Sequence, residues 1–424
     1  MSNQVIEDTR HPVQKYSKAF VTDEDLELAK TLRQFVDKEV MPRRCDLDGG
    51  FHRDRELAEK TISELGRSLV ALDVARAFLP EECGGLGMTS QVTLSIMMEE
   101  LGRGDPGLAL HFLLIPWALT PAMLTNNQTV LKRYGTLYCD NEFRSACFAM
   151  TEPAGGCNIE DLAQHGRAIQ TRAELRGDEW VINGQKLWPG DIITSEFYST
   201  VCTVDPEIGD DGVVIIDVPK DTPGLSFGKP EEKMGMVYTE GNGAIYYDDV
   251  KVPKEYCSGA PGGQGAWVLK NMICNLSIDG AIVLGAAQAC LEIVEDYLKD
   301  RYIVGKPVRE RSLFAARLGE MAMKIQAARS YYLNTNYMFD HPEIYGDCIS
   351  RQQMARGAGS KWFSTWVAEW VIREAMGLMG SYGYSFKAHV EKYLRDIIII
   401  RIYEGGQDGA ILEVARGEYP FDPW

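Results

Sequence analysis

The sequence predicts an α+β chain in three parts: an N-terminal α-helical domain, a middle small β-barrel domain and a C-terminal four-helix bundle. Three observations predict it. Apolar residues recur at helix spacing through the first third of the chain. Near Asn141 the pattern changes to short β-like pieces separated by glycine and proline. From Gly265 onward, long helix-period segments return with short connections. The boundaries read as 1–144, 145–262 and 263–424, the last step falling in the small-residue linker that begins at Gly259. A length of 424 residues fits two to three domains at roughly 150 residues each.

Residues 1 to about 20 are polar, contain Pro12, and read as an arm that orders only where something holds it. Thr22 followed by Asp23, Glu24 and Asp25 reads as a helix N-cap with an acidic first turn, ahead of Leu26, Leu28, Leu32 and Phe35. Further helices are expected over 56–69 and 90–103, with a turn-rich loop at 79–87 between them. Asp105-Pro106-Gly107 breaks the pattern before the strongly apolar 108–119. Strands are expected at 145–151, 169–173, 180–182, 197–202, 212–218 and 243–247, with Asn183-Gly184 as a two-residue hairpin turn. The bundle reads as helices over 265–302, 312–339, 349–379, 390–402 and 406–416.

Composition narrows the function. A net charge of −17 argues against nucleic acid and anionic membrane partners, which need a basic face. Purely apolar runs fall short of a membrane span, so no membrane insertion is expected. The ten cysteines form no CxxC pair and the six histidines no HExxH, so no metal site is expected. Scattered thiols and a polar N-terminus without an apolar stretch point to a cytoplasmic protein.

The candidate chemistry centres on Glu404, which stands before Gly405-Gly406 and after the apolar run 397–400. The glycines break a helix there, and a poorly solvated carboxylate becomes a usable general base. Alone, Glu404 reads better as an ordinary surface residue at a helix end. The Thr151–Asn158 loop exposes backbone N–H groups to a flat ligand or phosphate, or is a plain turn. Trp188 stacks on a ligand or fills a core. Arg301, with Lys306, Arg309 and Arg311, meets phosphates or complements a helix dipole. The 377–384 stretch is a phosphate surface or a glycine helix stop.

The order of these motifs says more than each alone. Thr-Glu-Pro-x-Gly-Gly (151–156), Asn-Gly-Gln-Lys-x-Trp (183–188), Glu-Lys-Met-Gly-Met (232–236), Asp-Asp-Val-Lys-Val-Pro (248–253), Gly-x-Ala-Gln-Ala (285–289), Arg-x-x-x-Gly-Lys-Pro (301–307), Gly-Ser-Tyr-Gly-Tyr (380–384), Val-Glu-Lys-Tyr-Leu-Arg-Asp (390–396) and Ile-Tyr-Glu-Gly (402–405) follow one another. The series resembles the acyl-CoA dehydrogenase family from about residue 23 to 416. That resemblance implies one FAD per subunit and a homotetramer, or a dimer, with an acyl-CoA substrate and an electron-transfer flavoprotein as acceptor. It places FAD against Phe148, Met150, Thr151, Gly156, Cys157, Trp188 and Gly190, and a neighbour's FAD against Arg301 and Val304. It adds Gly377, Gly380, Ser381, Gly406 and Gln407 to the cofactor set. Substrate is expected at Cys157, Tyr403, Glu404, Gly405 and Arg416. Glu404 matches the base that removes the α-proton, its backbone N–H and an FAD hydroxyl polarise the thioester carbonyl, and flavin N5 accepts the β-hydride.

The chain departs from the family pattern at Gly190 (commonly Thr or Ser), Cys157 (Ser), Gly377 (Gln), Ser381 (Gly), Leu276 (Arg) and Gly406 (Thr). These departures point to a specialised acyl group, cyclic or aryl-substituted. No arginine follows Asp105-Pro106-Gly107, which argues against a glutarate-like acid. Three alternatives stay open on the same fold: an enoyl-CoA reductase, an acyl-CoA oxidase and a catalytically silent acyl-CoA binder.

Overall fold

The computed structural model describes residues 10–155 and 166–419. Four helices lead: α1 (Asp23–Phe35), α2 (Arg55–Ala71), α3 (Gln91–Gly104) and α4 (Pro106–Leu124). Each starts where a side-chain acceptor meets free backbone N–H groups. Thr22 and Asp25 form a reciprocal capping box on α1, and Asp54, Ser90 and Asp105 cap α2, α3 and α4. Helix α4 is apolar around most of its circumference because it is buried among its neighbours, with Asp105, Pro106 and Gly107 at its start as the sequence break anticipates. The preceding arm is held: Lys15 pairs with Glu100 at 2.6 Å, and the buried Tyr16 hydroxyl donates to the same carboxylate at 2.8 Å.

The middle part is a curled eight-stranded sheet of β1 (Ser145–Ala149), β2 (Arg172–Arg176), β3 (Glu179–Leu187), β4 (Ser195–Thr203), β5 (Val213–Pro219), β6 (Leu225–Phe227), β7 (Ala244–Pro253) and β8 (Cys257–Gly259). The order is β6-β7-β3-β2-β4-β5-β8, and β1 pairs in parallel with β4 through Phe148↔Ser199. Asn183-Gly184 is not the hairpin turn. Strand β3 runs through it with a register shift between Ile182 and Gly184, and Asn183 Oδ1 accepts the Asp249 N–H at 2.9 Å. The turn lies instead between β2 and β3, where Gly177 has φ +65° beside Asp178. A turn dipeptide inside a paired strand makes a bulge when its side chain bonds across the ladder.

The C-terminal part holds α5 (Gln264–Ile273), α6 (Ser277–Asp300), the two-residue strands β9 (Tyr302–Ile303) and β10 (Lys306–Pro307), α7 (Ser312–Asp340), α8 (Arg351–Met379), α9 (Val390–Ile402) and α10 (Gly406–Glu418). The expected single helix over 265–302 is two, parted at 274–276, where Asn275 bonds Gln91 and Asn336 with its side chain. Several of the sequence motifs hold these parts together. Gly285 lets α6 touch α3: a Cβ there would lie 2.1 Å from the Glu99 carbonyl oxygen. Gln288 accepts from Arg329 at 3.0 Å and donates to Glu292 at 3.0 Å. Met236 N–H donates to Asp396 at 2.7 Å, which docks the barrel loop 232–236 onto α9. One large apolar core runs through both helical parts, and two smaller ones fill the barrel and its contact with α5.

Candidate active site

Glu404 sits in the three-residue gap between α9 and α10. Its φ is +54° and that of Gly405 is +78°. With Gly406 at φ +61°, three successive residues of positive φ reverse the chain; glycine takes this at no steric cost, whereas Glu404 is held in a strained conformation. The result turns a carboxylate inward: the Glu404 side chain is 7% exposed. Two cavities meet at it. The first, of about 450 Å³, is lined by Met150, Thr151, Trp188, Tyr403, Glu404 and Gly405 among others, so it lies between barrel and bundle. The second, of about 310 Å³, is walled by Leu94, Leu113, Trp117, Phe339, Asp279 and Glu404 among others, so it lies between α3, α4 and the bundle.

Lys361 on α8 and Asp279 on α6 complete the surroundings of Glu404. Lys361 Nζ donates to Glu404 Oε2 at 2.8 Å and to the Tyr403 carbonyl at 3.0 Å, and stands 3.4 Å from Asp279 Oδ2. Tyr403 Oη donates to Asp279 Oδ1 at 2.8 Å. Burial pushes Glu404 up to about 8; Lys361 opposes that and Asp279 adds to it. A carboxyl in this range is a competent general base near neutral pH. Neither Lys361 nor Asp279 belongs to the motif series, yet a signal was present. Asp279 is the one charged residue between Lys270 and Glu292, and Lys361 the one between Arg356 and Glu369. A lone charge in an apolar helical stretch requires a buried partner.

The barrel side of the first cavity is set by another pair. Glu152, of the Thr-Glu-Pro motif, accepts from Lys186 at 2.7 Å and from the N–H groups of Gln170 and Thr171 at 2.7 and 2.9 Å. Lys186 also donates to the Met150 carbonyl at 2.9 Å. Residues 151–155 and 183–188 are thereby one unit that presents Thr151 and Trp188 to the cavity. Trp188 has φ +69° and stays 47% exposed. Gly190 is occupied ground: a Cβ there would lie 2.5 Å from Glu240 Oε1, so the Glu240 carboxyl fills the space a side chain at 190 would need.

The remaining expected residues divide by location. Phe148 is buried, its ring stacked at 5.8 Å on Trp117. Gly406 and Gln407 line a separate recess beside Glu404, where Gln407 donates to Thr365 at 2.9 Å while its buried Oε1 has no partner among the described residues. Arg416 on α10 is buried and meets Glu413 at 3.1 Å. Gly156 and Cys157 lie outside the described residues. Arg301, Val304, Gly377, Gly380 and Ser381 line neither cavity at Glu404. Arg301 donates to Tyr297, whose ring stacks on Tyr382 at 5.2 Å, so the 301 and 380–384 segments share one surface. Val304 is 92% exposed at the tip of the β9–β10 hairpin. Glu99 and Asp105, the other acids near these helices, are engaged elsewhere, by Arg329 and Lys392.

Three family models match in order: acyl-CoA dehydrogenase N-terminal domain over 22–135, middle domain over 147–250 and C-terminal domain over 279–418. The chain is 27% identical over 405 residues to cyclohex-1-ene-1-carbonyl-CoA dehydrogenase of Syntrophus aciditrophicus (strain SB), covering 96% of this chain and 92% of that one. It superposes on butyryl-CoA dehydrogenase of Megasphaera elsdenii with TM-score 0.79 at 25% identity, over 93% and 98% of the two chains. A chain in the structure of the electron transferring flavoprotein of Acidaminococcus fermentans shares the fold, with TM-score 0.81 at 24% identity over 95% and 99%. The cofactor of this family is FAD, and the residues here fit it. The junction of barrel and bundle offers an apolar, Trp-flanked cavity, and in the separate recess Gln407 keeps an unused buried acceptor. By its three matched domains, its fold and its relatives, the chain belongs to the acyl-CoA dehydrogenase family of FAD-dependent oxidoreductases.

Proposed function

We propose that this enzyme dehydrogenates an acyl-CoA thioester between its α and β carbons, with Glu404 as the base that takes the α-proton. The observation that carries the reading is the position of Glu404: a buried carboxyl at the meeting point of two cavities, held near neutrality by desolvation. FAD, when bound, supplies the acceptor for the β-hydride. Met150, Thr151 and Trp188 line the barrel side of the first cavity and would hold the ring system there, while Gly406 and Gln407 line the neighbouring recess. Lys361 holds both the Tyr403 carbonyl, in the peptide preceding Glu404, and the Glu404 carboxylate, so the base needs little reorganisation when substrate arrives.

We further propose a cyclic or aryl-substituted acyl group. Its support is the similarity to the cyclohexene-carbonyl-CoA relative, together with a second cavity broad enough to be walled by Trp117, Phe339, Leu94 and Leu113. An electron-transfer flavoprotein is the proposed acceptor, a homotetramer the proposed assembly and the cytoplasm the proposed compartment. Exposed Tyr302, Val304, Leu313 and Tyr384 support self-association, because they cluster in sequence around Arg301 and Ser381. The free cysteines among the described residues suit a reducing compartment. Anaerobic titration of the purified flavoprotein with a panel of saturated, cyclic and aryl acyl-CoAs, with mass analysis of the products, tests the reading. Bleaching with formation of a product two hydrogens lighter supports it; a flavoprotein that no thioester of the panel reduces refutes it.

A further inference from the structure

Glu404 is one of two carboxyls at this junction. Asp279 lines the second cavity with it, and both face one ammonium, Lys361 Nζ, at 2.8 and 3.4 Å. The side chains of Glu404, Asp279 and Lys361 are 7%, 8% and 2% exposed. Two anions and one cation in a buried space leave one uncompensated negative charge, which a single proton removes. The fixed partners decide which carboxyl carries that proton. Asp279 has the Tyr403 phenol as a donor at 2.8 Å in addition to the ammonium, whereas Glu404 has the ammonium. Asp279 thus faces two donors where Glu404 faces one, which leaves Glu404 as the group that gains and loses the proton.

We propose that Asp279 is a positioning residue for the reaction: a fixed anion, anchored by Tyr403 and Lys361, that makes Glu404 a stronger proton acceptor and holds the proton Glu404 removes from substrate. The inference rests on Glu404 being the base. The other ionisable groups at the two cavities are Cys274 and Cys348 on the rim of the second, and Glu413 on α10 in the first, where it is paired with Arg416. Glu240 from the barrel acts on Tyr403 from the far side. Lys361 is the one cation in ion-pair contact with either carboxyl among the described residues.

The sign of the effect separates this role from a merely structural one. Without the Asp279 charge, Glu404 ionises at lower pH and is a weaker base. Without the Lys361 charge, it ionises at higher pH. The experiment is the pH dependence of flavin bleaching in the holoenzyme under anaerobic single-turnover conditions. The probes are cyclohexane-1-carbonyl-CoA and butyryl-CoA, both of which carry an α-proton, and the variants are Asp279→Asn, Asp279→Ser, Asp279→Glu, Lys361→Met and Glu404→Gln. The acid limb is expected to move down by about one pH unit in the Asn and Ser variants, with a lower plateau. It should stay near the wild-type position in the Glu variant and move up in Lys361→Met. An unmoved limb in the charge-removing variants, with Glu404→Gln inactive, overturns this inference and leaves the base intact. Wild-type bleaching by Glu404→Gln overturns the reading of the base itself. Should the Asp279 variants fail to fold, Lys361→Met decides from the cation side: an upward shift supports the charge-coupled pair and an unmoved limb refutes it.

Discussion

Replacing Lys361 by methionine tests the electrostatics of the site without reference to any substrate. The ammonium lies 2.8 Å from Glu404 and 3.4 Å from Asp279, in surroundings that leave it 2% exposed. Methionine keeps most of the volume and removes the charge. Breaking a buried pair by deleting one partner costs about 3–5 kcal/mol when the remaining charge stays buried. Here the loss depends on pH, because the orphaned carboxyls can neutralise instead of staying ionised. Glu404 is already pushed up to about 8 in the folded state, and losing Lys361 raises it further. An acid whose folded-state value lies above its unfolded value binds more protons when folded, so its contribution to stability falls as pH rises through that interval. The variant should therefore lose little more than wild type near pH 6, and progressively more above pH 8, by about 1.4 kcal/mol for each pH unit over which the carboxyl stays protonated. Urea unfolding followed by circular dichroism at pH 6 and at pH 9 reads the difference. An equal loss at both, or none at either, would refute the claim that this lysine compensates two buried carboxyls.

Three further outcomes follow from the geometry. Gly190→Thr forces a Cβ to within 2.5 Å of Glu240 Oε1, so it should cost about 1–3 kcal/mol as overpacking and lower the FAD-to-protein ratio, and Glu240→Ala in the same chain should restore both, read by thermal melts and flavin absorbance. Glu99 is held down to about 2 by Arg329 and Lys15, against an ordinary value of 4.5. Its roughly 3 kcal/mol of stability is present above pH 4.5 and lost as pH falls toward 2, so Glu99→Gln should flatten the acid-unfolding curve of the protein. Trp188→Ala removes a side chain that is 47% exposed, so melting of the apoprotein should change little while the visible flavin spectrum and FAD retention change.

Much of the fold was legible because its signals are local. Thr22 with Asp25, Ser90 and Asp105 each satisfy the N–H groups of the turn they precede; the Thr22 cap and the helix beginning at Ser90 appear where the sequence places them, and Asp105, read as a break, also caps the helix that follows. The gap at Glu404 was legible for the same reason, since Gly405 and Gly406 cannot continue a helix without cost. Asn183-Gly184 misled because the dipeptide's preference for a turn is weaker than a ladder on both sides of β3 and a side-chain bond to Asp249. The break at 274–276 was hidden because it is enforced by amides from α3 and α7, distant in sequence. Lys361 and Asp279 were missed for a similar reason: they lie 43 residues and more from Glu404 in the chain, and only the packing of α6 against α8 and the chain reversal at Glu404 bring them together. The motif series also combined two kinds of residue. Gly285 and Asp396 join domains and Gln288 ties α6 to α7, while Thr151, Trp188 and Glu404 face a cavity. Sequence order alone does not separate them.

The most direct test of the central claim is a comparison of the wild-type holoenzyme with Glu404→Gln on anaerobic mixing with cyclohexane-1-carbonyl-CoA and butyryl-CoA. Glutamine keeps the size of the side chain and a hydrogen-bonding partner for Lys361, but accepts no proton. The account predicts that at least one thioester bleaches the flavin of the wild type, and that the same thioester binds the variant and perturbs its spectrum without bleaching it. Equal bleaching in both proteins would contradict the assignment of Glu404 as the base.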